Sequence, residues 1–172
     1  SVTDGRYVYL RNYYPHVSQA QRVAYQFETP TTRVWHDLFV AGKTTPAQSI
    51  FWSTPKDPEE LYDLESDPDE VVNLASSPEH KTVLQKLRAA VQDHVKQVRD
   101  VCFLPEQELH HRSAGSTPYE IARDAAKYPF DKILAAAELA SGLDSTAAPE
   151  LARLMTEDSE SAVRAKRARV IV

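Results

Sequence analysis

Several features are absent from the sequence, and each absence excludes a class of structure or of partner. Its single cysteine excludes an internal disulfide framework, and its four glycines form no cluster that could cradle a phosphate. No apolar run approaches the roughly 20 residues that are needed to span a bilayer. The formal net charge of −5 lacks the basic excess that is typical of nucleic-acid-binding proteins. We therefore expect neither nucleic acid nor a membrane as a partner.

The chain does contain enough apolar material for a core. It has 172 residues, of which 42% are apolar, and this size fits one domain or one and a fraction. It begins without Met and without the apolar stretch of a signal peptide, directly on a strand-like pattern at Ser1–Asn12. It ends at Val170–Val172 within a helical pattern. Both ends predict a piece of a longer protein.

Periodicity predicts an α+β fold that is rich in helix. The aromatic and β-branched residues of Val2–Asn12 predict a strand, and Tyr13–Pro30 predicts a long irregular loop. A helix is expected over Thr32–Ala41, with Val34, Trp35, Leu38 and Phe39 on one face. A longer helix is expected over Pro78–Arg99, because apolar residues recur there at spacings of three and four. They are Leu84, Leu87, Val91, Val95 and Val98. We expect this helix to cover a small antiparallel sheet.

The segment Pro58–Ala75 combines a strand with an acidic turn. Glu60–Leu64 alternates polar and apolar residues, which predicts a strand. Asp67 and Pro68 are typical of a turn, and we expect Asp67 to cap a short helical turn in which Pro68 holds the first position. Many proteins contain such a strand and turn, so the pattern by itself predicts no function.

Four blocks in a fixed order resemble the closing segment of sulfatases, in the alkaline-phosphatase-like superfamily. Asp4–Asn12 resembles the strand that opens their C-terminal subdomain, and Pro30–Gln48 is similar to its middle. Pro58–Ala75 resembles the block P-x-E-L-Y-D-L-x-x-D-P-x-E-x-x-N-L-A. Arg99–Glu106 is similar to the closing R-D-x-G-F-L-P-E, with Cys102 where glycine is usual. The resemblance covers about the first two thirds of the chain.

The resemblance implies that the reaction chemistry lies elsewhere. Sulfatases use a formylglycine, made from Cys or Ser in a C/S-x-P-x-R signature, beside a calcium ion held by Asp and Asn. Both cofactors would belong to an N-terminal catalytic domain that this sequence does not contain, so no catalytic residue and no cofactor is expected here. We expect the chain to pack on that domain of its own protein, in the periplasm or outside the cell.

Three short segments imitate the nucleophile signature imperfectly. Cys102 is followed by Pro one position late and by Glu in place of Arg, while Ser53 and Ser116 have Pro correctly placed but no Arg. We interpret Cys102 as a small buried thiol and both serines as parts of helix-start turns.

Metal binding is not expected within the chain. His110 and His111 are neighbours, so on a helix they point about 100° apart. No histidine has a partner at a recognised metal-ligand spacing, and the acidic turn lacks the pattern of a calcium-binding loop.

One candidate substrate-binding group follows the first strand. Arg11, Asn12 and His16 lead into the long loop, and the resemblance implies that this part of the subdomain can reach the substrate pocket. The planar guanidinium of Arg11 suits a sulfate or a carboxylate. The alternative is that this segment, with its two tyrosines, packs on the missing domain.

The composition changes after Arg112 and divides the chain into residues 1–112 and 113–172. A buried helix is expected at Phe130–Ala140. Ala148–Met155 and Asp158–Arg164 together resemble the start of a HEAT-like repeat, which buries its apolar face only against the next repeat.

Two classes of function follow. The first is the non-catalytic C-terminal region of a sulfatase, which hydrolyses sulfate esters or sulfamates, in this case on a sulfated glycan. The alternative is a helical-repeat module that binds a protein partner without an enzymatic role. A related metal-dependent phosphodiesterase would share the fold, and residues upstream of Ser1 would distinguish it.

Overall fold

A computed structural model describes residues 1–157 and residue 160. Three strands form one antiparallel sheet in the order β1, β2, β3. They are β1 (Val2–Thr3), β2 (Tyr7–Arg11) and β3 (Glu59–Asp63). The helices are α1 (Ala24–Glu28), α2 (Pro30–Val40), α3 (Pro46–Ser49), α4 (Lys81–Val98), α5 (Glu106–Arg112), α6 (Pro118–Ile121), α7 (Phe130–Ser141) and α8 (Ala148–Glu157). The predicted α+β class, with its small antiparallel sheet and long helix, is confirmed.

The first predicted strand is a hairpin rather than one strand. Val2 pairs with Tyr9 and Thr3 with Val8 across a turn at Asp4 and Gly5. Gly5 has a positive φ of 99°, a conformation that glycine adopts at little cost. The prediction of a continuous strand over Val2–Asn12 was wrong because the Asp–Gly turn reverses the chain.

Helix α4 covers one face of the sheet, as its stripe predicts. A 3-10 turn at Pro78–His80 leads into it, and Arg99 ends it in a left-handed conformation with φ of 50°. Five buried side chains join the helix to the sheet in one cluster, namely Tyr9, Leu61, Leu84, Leu87 and Val91. Val98, at the end of the stripe, is 42% exposed. The sheet and α4 therefore share a core that ends before the last turn of the helix.

The crossover from β2 to β3, residues 12–58, lies against the opposite side of β3. Both faces of that strand are covered, since Glu60 and Tyr62 are buried as well as Leu61 and Asp63. The crossover has an aromatic cluster of its own, in which the rings of Trp35 and Phe51 stack at 5.0 Å. An alternating pattern predicts one covered face, so the covering of both was not foreseen.

The predicted apolar face of α2 is only half correct. Trp35 and Phe39 turn toward Trp52, with ring centroids 5.3 and 6.4 Å away. Val34 and Leu38 are exposed. The two aromatic rings sit one turn apart and bury more area together than the aliphatic pair would, which explains the orientation of the helix.

The acidic turn forms without the predicted helical turn. The Asp67 carboxylate accepts hydrogen bonds from the backbone N–H groups of Val71, at 2.8 Å, and Val72, at 2.7 Å. Asp67 thus bonds the backbone ahead of it as expected. However, Glu70 has a positive φ of 53°, which is incompatible with a helical turn.

The C-terminal helices build a second core around α7, where a buried helix was predicted. Its cluster combines Phe103 and Leu104 with Ile121, Tyr128 and side chains of α7. The Arg99 guanidinium donates hydrogen bonds to the backbone carbonyls of Ala122 and Tyr128. Contacts therefore cross residue 112, and the division into two domains there stays a prediction.

The HEAT-like repeat also stays a prediction. Its first helix coincides with α8, whereas Asp158, Ser159 and Ser161–Arg164 lie outside the described residues. In the described part of the chain, no helix has the length and apolar character needed to cross a membrane.

Candidate functional site

The structure brings two of the three predicted substrate-binding residues to one cavity. Arg11 at the end of β2 and Asn12 immediately after it line a cavity of about 520 Å³. The cavity is also lined by Lys56 and by the turn after α4 that contains Asp100, Cys102 and Phe103. The crossover contributes Tyr13, Tyr14, Val17 and Gln21. His16 is not among the lining residues, and its ring lies 6.1 Å from that of Tyr14.

The Arg11 guanidinium is engaged within the chain. It donates to the Glu138 carboxylate from Nε at 3.1 Å and from Nη2 at 2.7 Å, and Nη2 also donates to the Ser141 hydroxyl at 2.7 Å. Nη1 donates to the carbonyls of Asn12, at 2.9 Å, and Pro58, at 3.0 Å. The side chain is only 10% exposed. Every N–H group has an acceptor, so a substrate oxyanion would have to displace one of them. Substrate binding by Arg11, Asn12 and His16 stays a prediction.

Glu138 is the residue that sequence reasoning missed. Besides Arg11, its carboxylate accepts a hydrogen bond of 2.6 Å from the Tyr13 hydroxyl. Burial and the adjacent carboxylate both raise the pKa of Tyr13, so its hydroxyl stays protonated as the donor. The Tyr13 ring also meets Phe103 edge to face at 4.8 Å. A single Glu in an Ala-rich helical sequence is expected to be exposed to solvent. No neighbouring residue in the sequence indicates that Glu138 binds Arg11.

Asn12 ties the same region to β3. Its amide donates to the Asp57 carbonyl at 2.8 Å and to the buried Glu60 carboxylate, which also accepts from the Tyr62 hydroxyl at 2.7 Å. Its backbone N–H donates to the Pro58 carbonyl at 2.9 Å. The chain direction at the mouth of the cavity is therefore set by several hydrogen bonds.

A second polar group lies at the start of β3. Arg88 of α4 donates two hydrogen bonds to the Glu59 carboxylate, and the Tyr9 hydroxyl donates a third at 2.6 Å. Burial opposes the ionisation of Glu59, but the bonds from Arg88 and Tyr9 outweigh it and lower the pKa of this carboxyl. The group joins α4 to the sheet beside the hydrophobic cluster.

Replacement of Glu59 by Gln is expected to make stability less dependent on pH. Because the folded-state pKa of Glu59 is lowered, its contribution is complete above its ordinary value of 4.5 and is lost as the pH falls through the lower folded value. Near neutral pH we expect Glu59→Gln to cost about 1–3 kcal/mol. Differential scanning calorimetry from about pH 7 to pH 3 should show this difference shrinking.

The control for that experiment is Glu79→Gln, an exposed glutamate with no ion-pair partner among the described residues. It should leave the melting temperature nearly unchanged throughout. A constant difference between Glu59→Gln and wild type down to the lowest pH would contradict the assignment.

The three imitations of the nucleophile signature serve local structure, with two corrections. Cys102 is exposed, so the prediction of a buried thiol was wrong, because the turn at Val101–Phe103 directs Phe103 into the core instead. Ser116 precedes Thr117, whose capping box starts α6 as expected. Ser53 does not start a helix, since it follows α3 and donates back to the Ser49 carbonyl at 2.8 Å. Across residues 1–157 and 160, no three His, Cys, Asp or Glu side chains gather as metal ligands would.

Comparison with known proteins identifies a sulfatase among the relatives of this chain. An ulvan-active sulfatase from Formosa agariphila is 35% identical over 109 residues, which is 63% of this chain and 18% of that protein. The chain thus spans about a fifth of the length of this relative. No family model matches the chain, and no solved structure matches it. The chain therefore contains a region related to part of a sulfatase.

Proposed function

We propose that the chain is the non-catalytic C-terminal region of a sulfatase. The longer protein would hydrolyse sulfate esters or sulfamates on a sulfated glycan, with formylglycine and calcium in its N-terminal domain. The observation that carries this proposal is the 35% identity to an ulvan-active sulfatase. The four sequence blocks also support it. Each block alone is a common pattern, so the support comes from their occurrence together in one fixed order.

The contacts of the most specific block support a role in architecture. In Pro58–Ala75, the Asn73 side-chain oxygen accepts from the backbone N–H groups of Leu61 and Ala75, each at 3.0 Å. Its amide donates to the Glu59 carbonyl at 3.0 Å. Asn73 therefore holds the segment after the acidic turn along β3. A residue used in this way is expected in a supporting subdomain.

Packing against the catalytic domain of the same protein is part of this proposal. Helices α1 and α2, together with the residue that precedes α1, leave apolar side chains exposed on the surface, namely Val23, Tyr25, Val34, Leu38 and Val40. Helix α2 has no buried residue. Val34 and Leu38 lie one turn apart on the same side of α2, and neighbouring exposed apolar side chains are typical of surfaces that pack on a partner.

The proposal is tested with 4-methylumbelliferyl sulfate, a generic aryl sulfate. The 172-residue chain alone should release no fluorescent product, whereas the full gene product that contains it should hydrolyse the ester. The coding region upstream of Ser1 should encode the C/S-x-P-x-R signature. Clear turnover by the chain alone would contradict the non-catalytic role. A longer gene without that signature would favour the helical-repeat interaction module.

A further inference from the structure

Among the described residues, Lys56 is a cation without a partner at the cavity that Arg11 and Asn12 line. Its side chain is half-buried, and among residues 1–157 and 160 its ammonium group forms no hydrogen bond or ion pair. Arg11, in contrast, is neutralised by Glu138 at 2.7 Å. A partly desolvated ammonium favours an anion as its partner, because burial raises the cost of leaving a charge unpaired. Within residues 1–157 and 160, Lys56 is therefore a positive charge at this cavity that no carboxylate pairs with directly.

The wall that holds Lys56 is fixed by backbone hydrogen bonds. The Lys56 N–H donates to the Pro15 carbonyl at 2.7 Å, and the Ala20 N–H donates to the Phe51 carbonyl at 2.8 Å. These bonds join the two sides of the crossover next to the cavity. A binding group on a preorganised wall loses less conformational entropy when a ligand arrives.

The remaining lining is suited to a sugar rather than to a bare anion. Tyr13 and Tyr14, both partly exposed, provide aromatic surface for the C–H groups of a pyranose ring. The Asp100 carboxylate can accept from a sugar hydroxyl, although one of its oxygens already accepts from the Cys102 N–H at 2.9 Å. The same negative charge would oppose free sulfate. A volume of about 520 Å³ is within the usual range for small-molecule sites.

We propose that this cavity binds one sulfated sugar unit, with Lys56 contacting the sulfate group and Asp100 accepting from a hydroxyl of the ring. This inference rests on the proposed function, because it assigns the cavity to the glycan that the longer protein would process. It adds a cation that no sequence motif indicated, since a Lys before Asp57 and Pro58 has the pattern of a surface loop.

The test is a titration of the ¹⁵N-labelled chain, followed by NMR at low ionic strength, where charge pairs are least screened. The probes are the 6-O-sulfates of glucose, galactose and N-acetylglucosamine, with the unsulfated sugars and inorganic sulfate as comparisons. Shifts should concentrate on residues 12–21, Lys56 and Asp100–Phe103. Lys56→Gln should weaken binding of the sulfated sugars by roughly tenfold or more. The variant should fold normally, because the lost ammonium has no partner among the described residues.

Lys43→Gln is the matched control. It removes the same charge from an exposed lysine that does not line the cavity, and it should leave affinity unchanged. Unchanged affinity in Lys56→Gln, absence of binding by all three sulfated sugars, or equal binding of the unsulfated sugars would overturn the proposal. Those results would leave the aryl-sulfate test of the full gene product unaffected. Conversely, an inactive full gene product with Lys56-dependent sugar binding would refute only the proposed function.

Discussion

Leu87→Asp is expected to unfold the chain at room temperature. Leu87 is 2% exposed and lies in the cluster that joins α4 to the sheet, in the company of Tyr9 and Leu61. The substitution removes a buried side chain, at a cost of about 2–5 kcal/mol, and adds the desolvation of a carboxyl group. The free energy of unfolding of a small protein is about 5–15 kcal/mol, so the combined loss approaches the whole stability. Far-UV circular dichroism would show the loss of helix, and urea titration would measure the loss of stability.

Val98→Asp provides the comparison on the same helix. Val98 belongs to the same apolar stripe in the sequence but is 42% exposed, so an aspartate there stays hydrated. We expect the free energy of unfolding to change by about 1 kcal/mol or less, with an unchanged circular dichroism spectrum. If both variants unfolded alike, this would contradict the conclusion that the core shared by α4 and the sheet ends before the last turn of the helix.

Glu138→Ala is expected to destabilise the fold substantially. It leaves the Arg11 guanidinium nearly buried without its counter-ion and removes the acceptor of the Tyr13 hydroxyl. Removing one partner of a buried ion pair typically costs about 3–5 kcal/mol, and partial exposure of Glu138 lowers this to about 2–4 kcal/mol. Chemical denaturation of the purified chain gives the difference.

The control is Glu150→Ala, which breaks the exposed pair with Arg153 on α8. Both side chains of that pair are about half exposed, so its loss should cost less than about 0.5 kcal/mol. The double variant Arg11→Met with Glu138→Ala should recover part of the loss, because no unpaired charge then remains. A loss in Glu138→Ala no larger than in Glu150→Ala would contradict the role of this pair in joining β2 to α7.

Local sequence patterns predicted the elements whose stability depends on neighbours along the chain. The apolar stripe predicted α4 to within a few residues, and the helix-start turn expected at Ser116 precedes α6, which Thr117 caps. These patterns failed where burial or orientation depends on segments that are distant in the sequence. The burial of Glu60 depends on Asn12 and Tyr62, and the orientation of α2 depends on Trp52, which lies beyond the end of that helix.

The candidate site shows the same limit. Arg11 was selected because its chemistry suits oxyanions, but the carboxylate that binds it lies 127 positions further along the chain. No periodicity relates residues so far apart, and only the packing of α7 beside the sheet brings Glu138 to Arg11. Lys56 was overlooked for the opposite reason, because its proposed role depends on having no partner among the described residues, which a sequence does not reveal.

The hydrogen bonds along the outer side of β3 have a consequence for solubility. Leu61 donates to Asn73 and accepts from Leu74 at 2.7 Å, and the Asp63 carbonyl accepts from Ser66 and Asp67. Unpaired strand borders act as templates on which other chains add. On this border, both backbone groups of Leu61 and the carbonyls of Glu59 and Asp63 are occupied. In the described part of the chain, the opposite border of the sheet is formed by the two-residue strand β1, which is too short to nucleate such growth efficiently. The segment after the acidic turn thereby shields this border of the sheet from edge-to-edge pairing.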